Sequence, residues 1–158
     1  SGNTALTIDA NGIITKPLQP CFYATVGNGQ AIADSTVTTL TLDSERFDLN
    51  GDFDTSTSTF TAPVTGKYYF TGVYGFDGGA ETDVDYDYVV LTFYASNVQN
   101  GYLKRLRTNV YDQGLILNSD IIDMDANDTC YCSIYLDRIV GAGGTTITGA
   151  RFQGFLIC

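Results

Sequence analysis

Apolar residues alternate with polar ones, or fill short runs outright, at roughly ten-residue spacing, and Gly, Pro, Asp and Asn punctuate the gaps. Residues 5–8 and 13–15 (ALTI, IIT) flank "DANG", which reads as a hairpin turn. "PCFYATV" (20–26) reads as a strand opened by Pro20, and "TVTTLTL" (36–42) alternates. "GKYYFTGVYGF" (66–76) and "YVVLTFYA" (88–95) are long and nearly continuously apolar, and "GYLKRLRTNV" (101–110) alternates basic with apolar positions. "DIIDMD" (120–125), "TCYCSIYL" (129–136) and "GARFQGFLIC" (149–158) complete the set. No segment makes a convincing helix. Strands so spaced predict an all-β sandwich or barrel.

The stretch "FTAPVTGKYYF" (60–70) adds an expectation about assembly. In a strand, Tyr68 and Phe70 share one face and Tyr69 takes the other. Neighbouring aromatics of opposite parity predict that both faces are covered, one by a second sheet and the other by a second subunit. One ordinary half-exposed tyrosine is the plainer alternative.

Composition narrows the classes. With 158 residues the chain can bury one sizeable core. A hydrophobic share of 44% with 16% charged residues is globular rather than disordered. No apolar run approaches the ~20 residues of a membrane-spanning helix, so no membrane insertion is expected. Of 18 acidic residues only Glu45 and Glu81 are glutamate, and the net charge is −10. That charge opposes nucleic-acid binding through a basic surface. Abundant Asp, 17 Gly and 11 Tyr favour turns and strands over helices. The chain has no His, which removes the usual Ser-His-Asp and Cys-His nucleophiles and most catalytic zinc sites. An enzyme is not expected; the catalytic alternative is a carboxylate-based glycan hydrolase.

Leu42, Asp48, Phe53, Phe60, Gly66, Tyr68, Phe70 and Gly72 then show a recognisable spacing. The stretch resembles the signature of the complement 1q globular head, a trimeric jelly roll of the tumour necrosis factor-like superfamily. Leu42 and Gly72 depart from it, each standing where the signature has an aromatic; Gly72 removes a core side chain, so packing there must differ. "QPCFYATV" looks like the family's first strand, "DIIDMDANDTCYCSIY" like a hairpin turning at Asn127-Asp128, and "ARFQGFLIC" like its closing strand. The resemblance spans residues 18–158. It implies a ten-stranded antiparallel jelly-roll sandwich, complement 1q/tumour necrosis factor-like and trimeric, with first and last strands paired at the centre of one sheet. It also implies ligand binding without catalysis. Residues 1–17 fall outside the head. "LTIDANGIITKP" resembles the hairpin segments that join a fibre shaft to a C-terminal head in bacteriophage tail and capsid fibres; the alternative is any surface hairpin before a domain.

Several clusters invite chemical readings. Asp83, Asp85 and Asp87 would line one face of an extended strand, as a solvated acidic face or as calcium ligands. "DLNGDFD" (48–54) and "DMDAND" (123–128) lack the Gly and Glu positions of a helix–loop–helix calcium loop, so turn chemistry explains them better. "YDQ" (111–113) matches a tripeptide that helps bind calcium near the trimer axis in some relatives, which makes Asp112 the single metal candidate; an exposed loop Asp is the alternative. Lys104, Arg105 and Arg107 form a basic cluster, read as a charge-guarded edge strand, as a partner for a neighbouring subunit's acids, or as a site for an anionic glycan. Cys130 and Cys132, two apart on one strand, cannot easily bridge each other. Cys21 and Cys158 lie on strands that the resemblance pairs, so a disulfide there is open, although buried thiols are expected. Asn127-Asp128-Thr129 is a glycosylation sequon, without meaning in a phage product.

Together these readings predict the trimeric tip of a virion fibre, joined to an upstream shaft and binding a host cell-surface glycan or protein. The loops at 76–87, 96–101 and 109–119 are the expected contacts. A purely structural trimerising cap and a secreted complement 1q-like adhesion module are the alternatives.

Overall fold

A computed structural model of the chain describes residues 6–77, 85–97, 102–107, 113–140 and 145–158. These residues form fourteen strands and no helix. The hairpin β1 (Thr7–Ile8) and β2 (Ile14–Thr15) makes a two-stranded sheet of its own. Its turn is the DANG tetrapeptide. The Asp9 carboxylate accepts the N–H groups of Asn11 and Ile13 at 2.8 and 2.9 Å, and Gly12 supplies the φ of +80° that closes it.

The remaining strands are β3 (Cys21–Thr25), β4 (Gln30–Ile32), β5 (Thr38–Thr39), β6 (Ser44–Asp48), β7 (Phe53–Asp54), β8 (Thr59–Thr61), β9 (Gly66–Asp77), β10 (Asp85–Ala95), β11 (Tyr102–Arg107), β12 (Gln113–Met124), β13 (Thr129–Val140) and β14 (Thr145–Leu156). They build two six-stranded antiparallel sheets. Sheet I runs β12-β9-β14-β3-β6, with β4 also on β14; sheet II runs β11-β10-β13-β8-β7, with β5 also on β13. The fold is the expected antiparallel jelly-roll sandwich. The first strand of the head, β3, pairs with the closing strand β14 (Phe22 opposite Gly154), and β14 is the middle of its sheet. The short β4 and β5 are additions to the ten strands that the resemblance implied.

The core between the sheets is aromatic. Phe22 stacks on Phe53 and Phe60 at 4.8 and 5.0 Å between centroids, and Phe152 lies 5.4 Å from Phe70 and 5.6 Å from Phe93. Tyr68 is buried with them because its hydroxyl donates to the Val64 carbonyl at 2.7 Å, which satisfies the one polar atom of the ring. Two glycines make room for these rings. A Cβ on Gly154 would stand 2.5 Å from Phe70 Cδ1. On Gly72 it would stand 2.9 Å from Phe93 and 3.3 Å from both Cys132 Sγ and Leu91. The missing signature aromatic at Gly72 is thus replaced by side chains reaching across from sheet II.

Some boundaries differ from the sequence reading. In TVTTLTL only Thr38 and Thr39 join a ladder. Leu40 and Leu42 still turn inward, the Leu42 N–H donating to Ser58 Oγ at 2.8 Å. Strand β12 begins at Gln113, seven residues before the DIIDMD run, because its whole length pairs with β9 from Gln113–Asp77 to Met124–Gly66. The expected recognition loop at 109–119 is therefore strand from residue 113 onward.

Candidate functional site

The outer face of sheet I is the most distinctive surface of the described residues. Inward positions of β9 are Tyr68, Phe70 and Tyr74, all buried; Tyr69 points outward, half-buried, 5.5 Å from the Phe155 ring. On the strands beside this pair several outward positions are also apolar, with Ser119, Thr71 and Gln153 forming a polar row among them. Leu117 (47% exposed) and Ile121 (53%) come from β12, Phe155 (45%) from β14, and Phe47 (46%) from β6, where it meets Tyr23 at 5.9 Å. Pairing brings them together: Ile121 lies opposite Tyr69, Tyr69 opposite Phe155, and Phe155 opposite Cys21. Cys21, Phe47, Tyr69 and Phe155 border one shallow cavity of about 170 Å³. Ile121, Tyr69, Phe155, Cys21 and Phe47 thus form an apolar belt near the end of the sandwich that bears the hairpin, and Leu117, opposite Val73, lies beyond the polar row. Belts of this kind on a soluble domain mark interaction surfaces.

The sequence motifs are distributed as follows. Asp112 and Asp83 lie outside the described residues. Asp85 and Asp87 sit in β10, where the ladder to β13 shifts register on either side of Tyr86, so simple alternation does not hold there. Lys104, Arg105 and Arg107 lie on β11, at the edge of sheet II. Of the other expected recognition loops, residues 76–77 and 85–87 are strand, and 78–84 and 98–101 lie outside the described residues.

Both false calcium loops are turns whose carboxylates are occupied by the chain itself. Asp48 accepts the N–H groups of Asn50 (3.3 Å), Gly51 (3.1 Å) and Phe53 (2.8 Å). Asp128 accepts the Asp125 N–H at 2.8 Å and the Ser96 hydroxyl at 2.9 Å, while Asn127 adopts a φ of +75° and donates to the Ala62 carbonyl at 2.7 Å. Among the described residues no group of three or more acidic or Cys side chains could hold a metal ion.

All four cysteines are free. Cys130 and Cys132 are the expected buried thiols, and desolvation in the core pushes both well above the ordinary thiol value of 9.0. The expectation of burial fails for the other two. Cys21 is half-buried on the outer face of β3, and Cys158 is exposed beyond the end of β14. They do not bridge, because the chain end turns from β3 towards β9. Leu156 N–H still donates to Pro20, but the Cys158 carbonyl accepts the Lys67 N–H at 2.8 Å.

Sequence reasoning gave Tyr69 as the outward aromatic but missed Phe47, Leu117, Ile121 and Phe155 as its neighbours. The signal is the same opposite-parity pattern, at Ile116-Leu117, Ile121-Ile122 and Phe155-Leu156; Phe47 carries no such signal. No family model matches the chain, and no curated protein matches it in sequence. Among solved structures it is similar to the globular domain of zebrafish complement 1qA protein, with a TM-score of 0.64 and 18% identity over 89% of this chain and 98% of that one. The chain therefore has the complement 1q globular-domain fold.

Proposed function

We propose that this chain forms the trimeric head of a virion fibre, which holds three chains together and binds a glycan or protein on the host cell surface. The apolar belt on sheet I carries the reading. Left in water it would cost roughly 25 cal/mol for each Å² of apolar surface, and covering it against two further copies recovers that energy. The exposed hairpin of β1 and β2 supports the second half of the reading. Leu6, Ile8, Ile13 and Ile14 are all exposed on it, as suits a segment continuing into an upstream shaft rather than one belonging to the core. In this reading residues 1–17 are the end of a fibre neck, residues 18–158 are the non-enzymatic head, and the head lies at the virion surface. The match at "YDQ" adds calcium at Asp112, for which a lower trimer mass in chelator is the test.

The belt alone also favours a second reading, a cap that only trimerises; a secreted adhesion module of the same fold would share the trimer. Two measurements decide. Mass in solution should be three times 17.1 kDa, and a 17.1 kDa species at high concentration overturns the trimer. Soluble head should bind host cells and block infection; a trimer that does neither is a cap.

A further inference from the structure

A cleft of about 440 Å³ opens at the end of the sandwich that bears the hairpin. Leu18, Pro63, Val64 and Ile157 line it, and Leu18, Val64 and Ile157 are exposed there. Its sides are tied together by hydrogen bonds. The Asn50 amide donates to the Leu18 carbonyl at 3.2 Å, the Leu156 N–H donates to Pro20, and the Gln19 amide donates to the Leu156 carbonyl. The cleft is therefore a standing feature of the head. Its volume is many times the roughly 30 Å³ of one water molecule, so it admits side chains.

The hairpin rises from the rim of this cleft, because Lys16, the residue after β2, is one of the lining residues. Its ladder sets Ile8 opposite Ile14, and alternation puts Leu6 on the same face. All three are exposed, so this apolar face is not spent on its own head. Among the described residues β1 and β2 pair only with each other. A lone two-stranded hairpin is marginal in water and gains from a surface to lie on.

Three observations select a second copy of this chain as the occupant of the cleft. The cleft continues the belt: Pro20 precedes Cys21 and Leu156 follows Phe155, so a copy that covers the belt stands beside the cleft. The hairpin has the reach. Lys16 to Asn11 is five residues, about 16 Å at ~3.3 Å per residue, close to the ~15 Å radius of gyration of a domain this size. Charge also matches. Lys16 is the one charged residue lining the cleft, and among the described residues it has no carboxylate within ion-pair distance. The hairpin turn carries the exposed Asp9.

We propose that the β1–β2 hairpin of each copy lays its Leu6, Ile8 and Ile14 face into the cleft of a neighbouring copy, with Asp9 of the incoming turn paired to Lys16 of the partner subunit. The inference rests on the trimeric reading and deepens it: the hairpins clamp the heads to one another instead of only joining them to a shaft.

Cys158 lines the same cleft with an exposed thiol, which makes the contact testable by cross-linking. Ile8→Cys protein is oxidised with diamide and run on a denaturing gel without reductant, beside wild type and the Ile8→Cys/Cys158→Ser variant. Position 8 is exposed, so the substitution should leave the fold intact, as circular dichroism will show. We expect position 8 of one chain to link to Cys158 of the next, closing three chains into one covalent ring that neither wild type nor the double variant forms. Linkage that survives Cys158→Ser overturns the proposal, because the hairpins then pack on one another; thiols at one equivalent position join at most two chains. A band that stays at 17.1 kDa overturns it too. Adding Lys16→Glu should cut the linked fraction severalfold, most at low salt, and an unchanged yield overturns the pairing with Asp9. Mass in solution, measured first on wild type, separates the two readings. A particle of three chains without the ring sinks this inference alone, whereas a single chain sinks the trimer with it.

Discussion

Sheets I and II pack the same kind of core between them, yet their outer faces are opposites. Outside sheet I lie Leu117, Ile121, Phe155 and Phe47, each nearly half exposed or more. Outside sheet II, along the described parts of β10 and β13, lie Thr92 and Ser133, both buried, beneath half-buried tyrosines; Tyr94 and Tyr131 stack there at 5.4 Å. Tyrosines shielding small hydroxyl residues leave little apolar surface in water, and each ring keeps its hydroxyl at the solvent edge. The described part of that face is finished within one chain. The face of sheet I is not: its apolar side chains remain in water unless a second molecule covers them. The difference teaches which face the proposed trimer would use, which the fold shared by both sheets does not.

Substitutions can break the comparison, and the largest effects belong to the shared core. Phe70→Ala, which removes a ring packed against Phe22, Phe60, Phe93 and Phe152, should cost about 3–5 kcal/mol by denaturant unfolding. Ser58→Ala orphans the buried Leu42 N–H and should cost about 1–3 kcal/mol. The paired variants Tyr69→Asp and Ile121→Asp sharpen the contrast. They should leave the single chain folded, since surface changes usually stay within about 0.5 kcal/mol, yet reduce the particle to 17.1 kDa. The matching change outside sheet II, Tyr131→Asp, should leave the assembled mass unchanged. If Tyr131→Asp dissociates the particle and Tyr69→Asp does not, the faces have been assigned the wrong way round.

Thiol labelling reads the same contrast without mutation. Cys158 should react first in the native protein, and Cys130 and Cys132 should react only on unfolding, because burial holds both as thiols. Cys21 lies in the belt, so it should be protected in the assembled particle and become reactive when Tyr69→Asp separates the chains.

The smallest effect lies in the hairpin. Hydrogen bonds from the backbone, that of Ile13 foremost, hold the exposed Asp9 carboxyl below its ordinary 3.8. A depressed carboxyl stabilises the fold above its unfolded value, and that contribution is lost as pH falls through the lower folded value. Amide exchange at Asn11 and Ile13 should therefore accelerate relative to the core below about pH 4, the unfolded carboxyl range. Unchanged relative protection across that range would show that the Asp9 contacts do not hold the turn.

Much of the fold was written in local pattern. Alternation and turn residues placed the long strands of the head but not the short β4, β6, β7 and β8, the spacing from Leu42 to Phe70 matched a jelly-roll signature, and the parity of Tyr68 and Tyr69 separated core from outer face. These features are legible because side-chain direction in a strand depends only on neighbouring residues. Strand β12 was half missed, because Gly114, Asn118 and Ser119 read as loop and only the ladder to β9 makes them strand. Local parity gives outward apolar residues one strand at a time, but not which of them meet. Tyr69, Ile121, Phe155 and Phe47 are far apart in sequence, and pairing register alone puts them side by side. Sequence determined what each strand offers on its two faces; the tertiary structure decided which strands stand together, because register is fixed by packing the whole core at once.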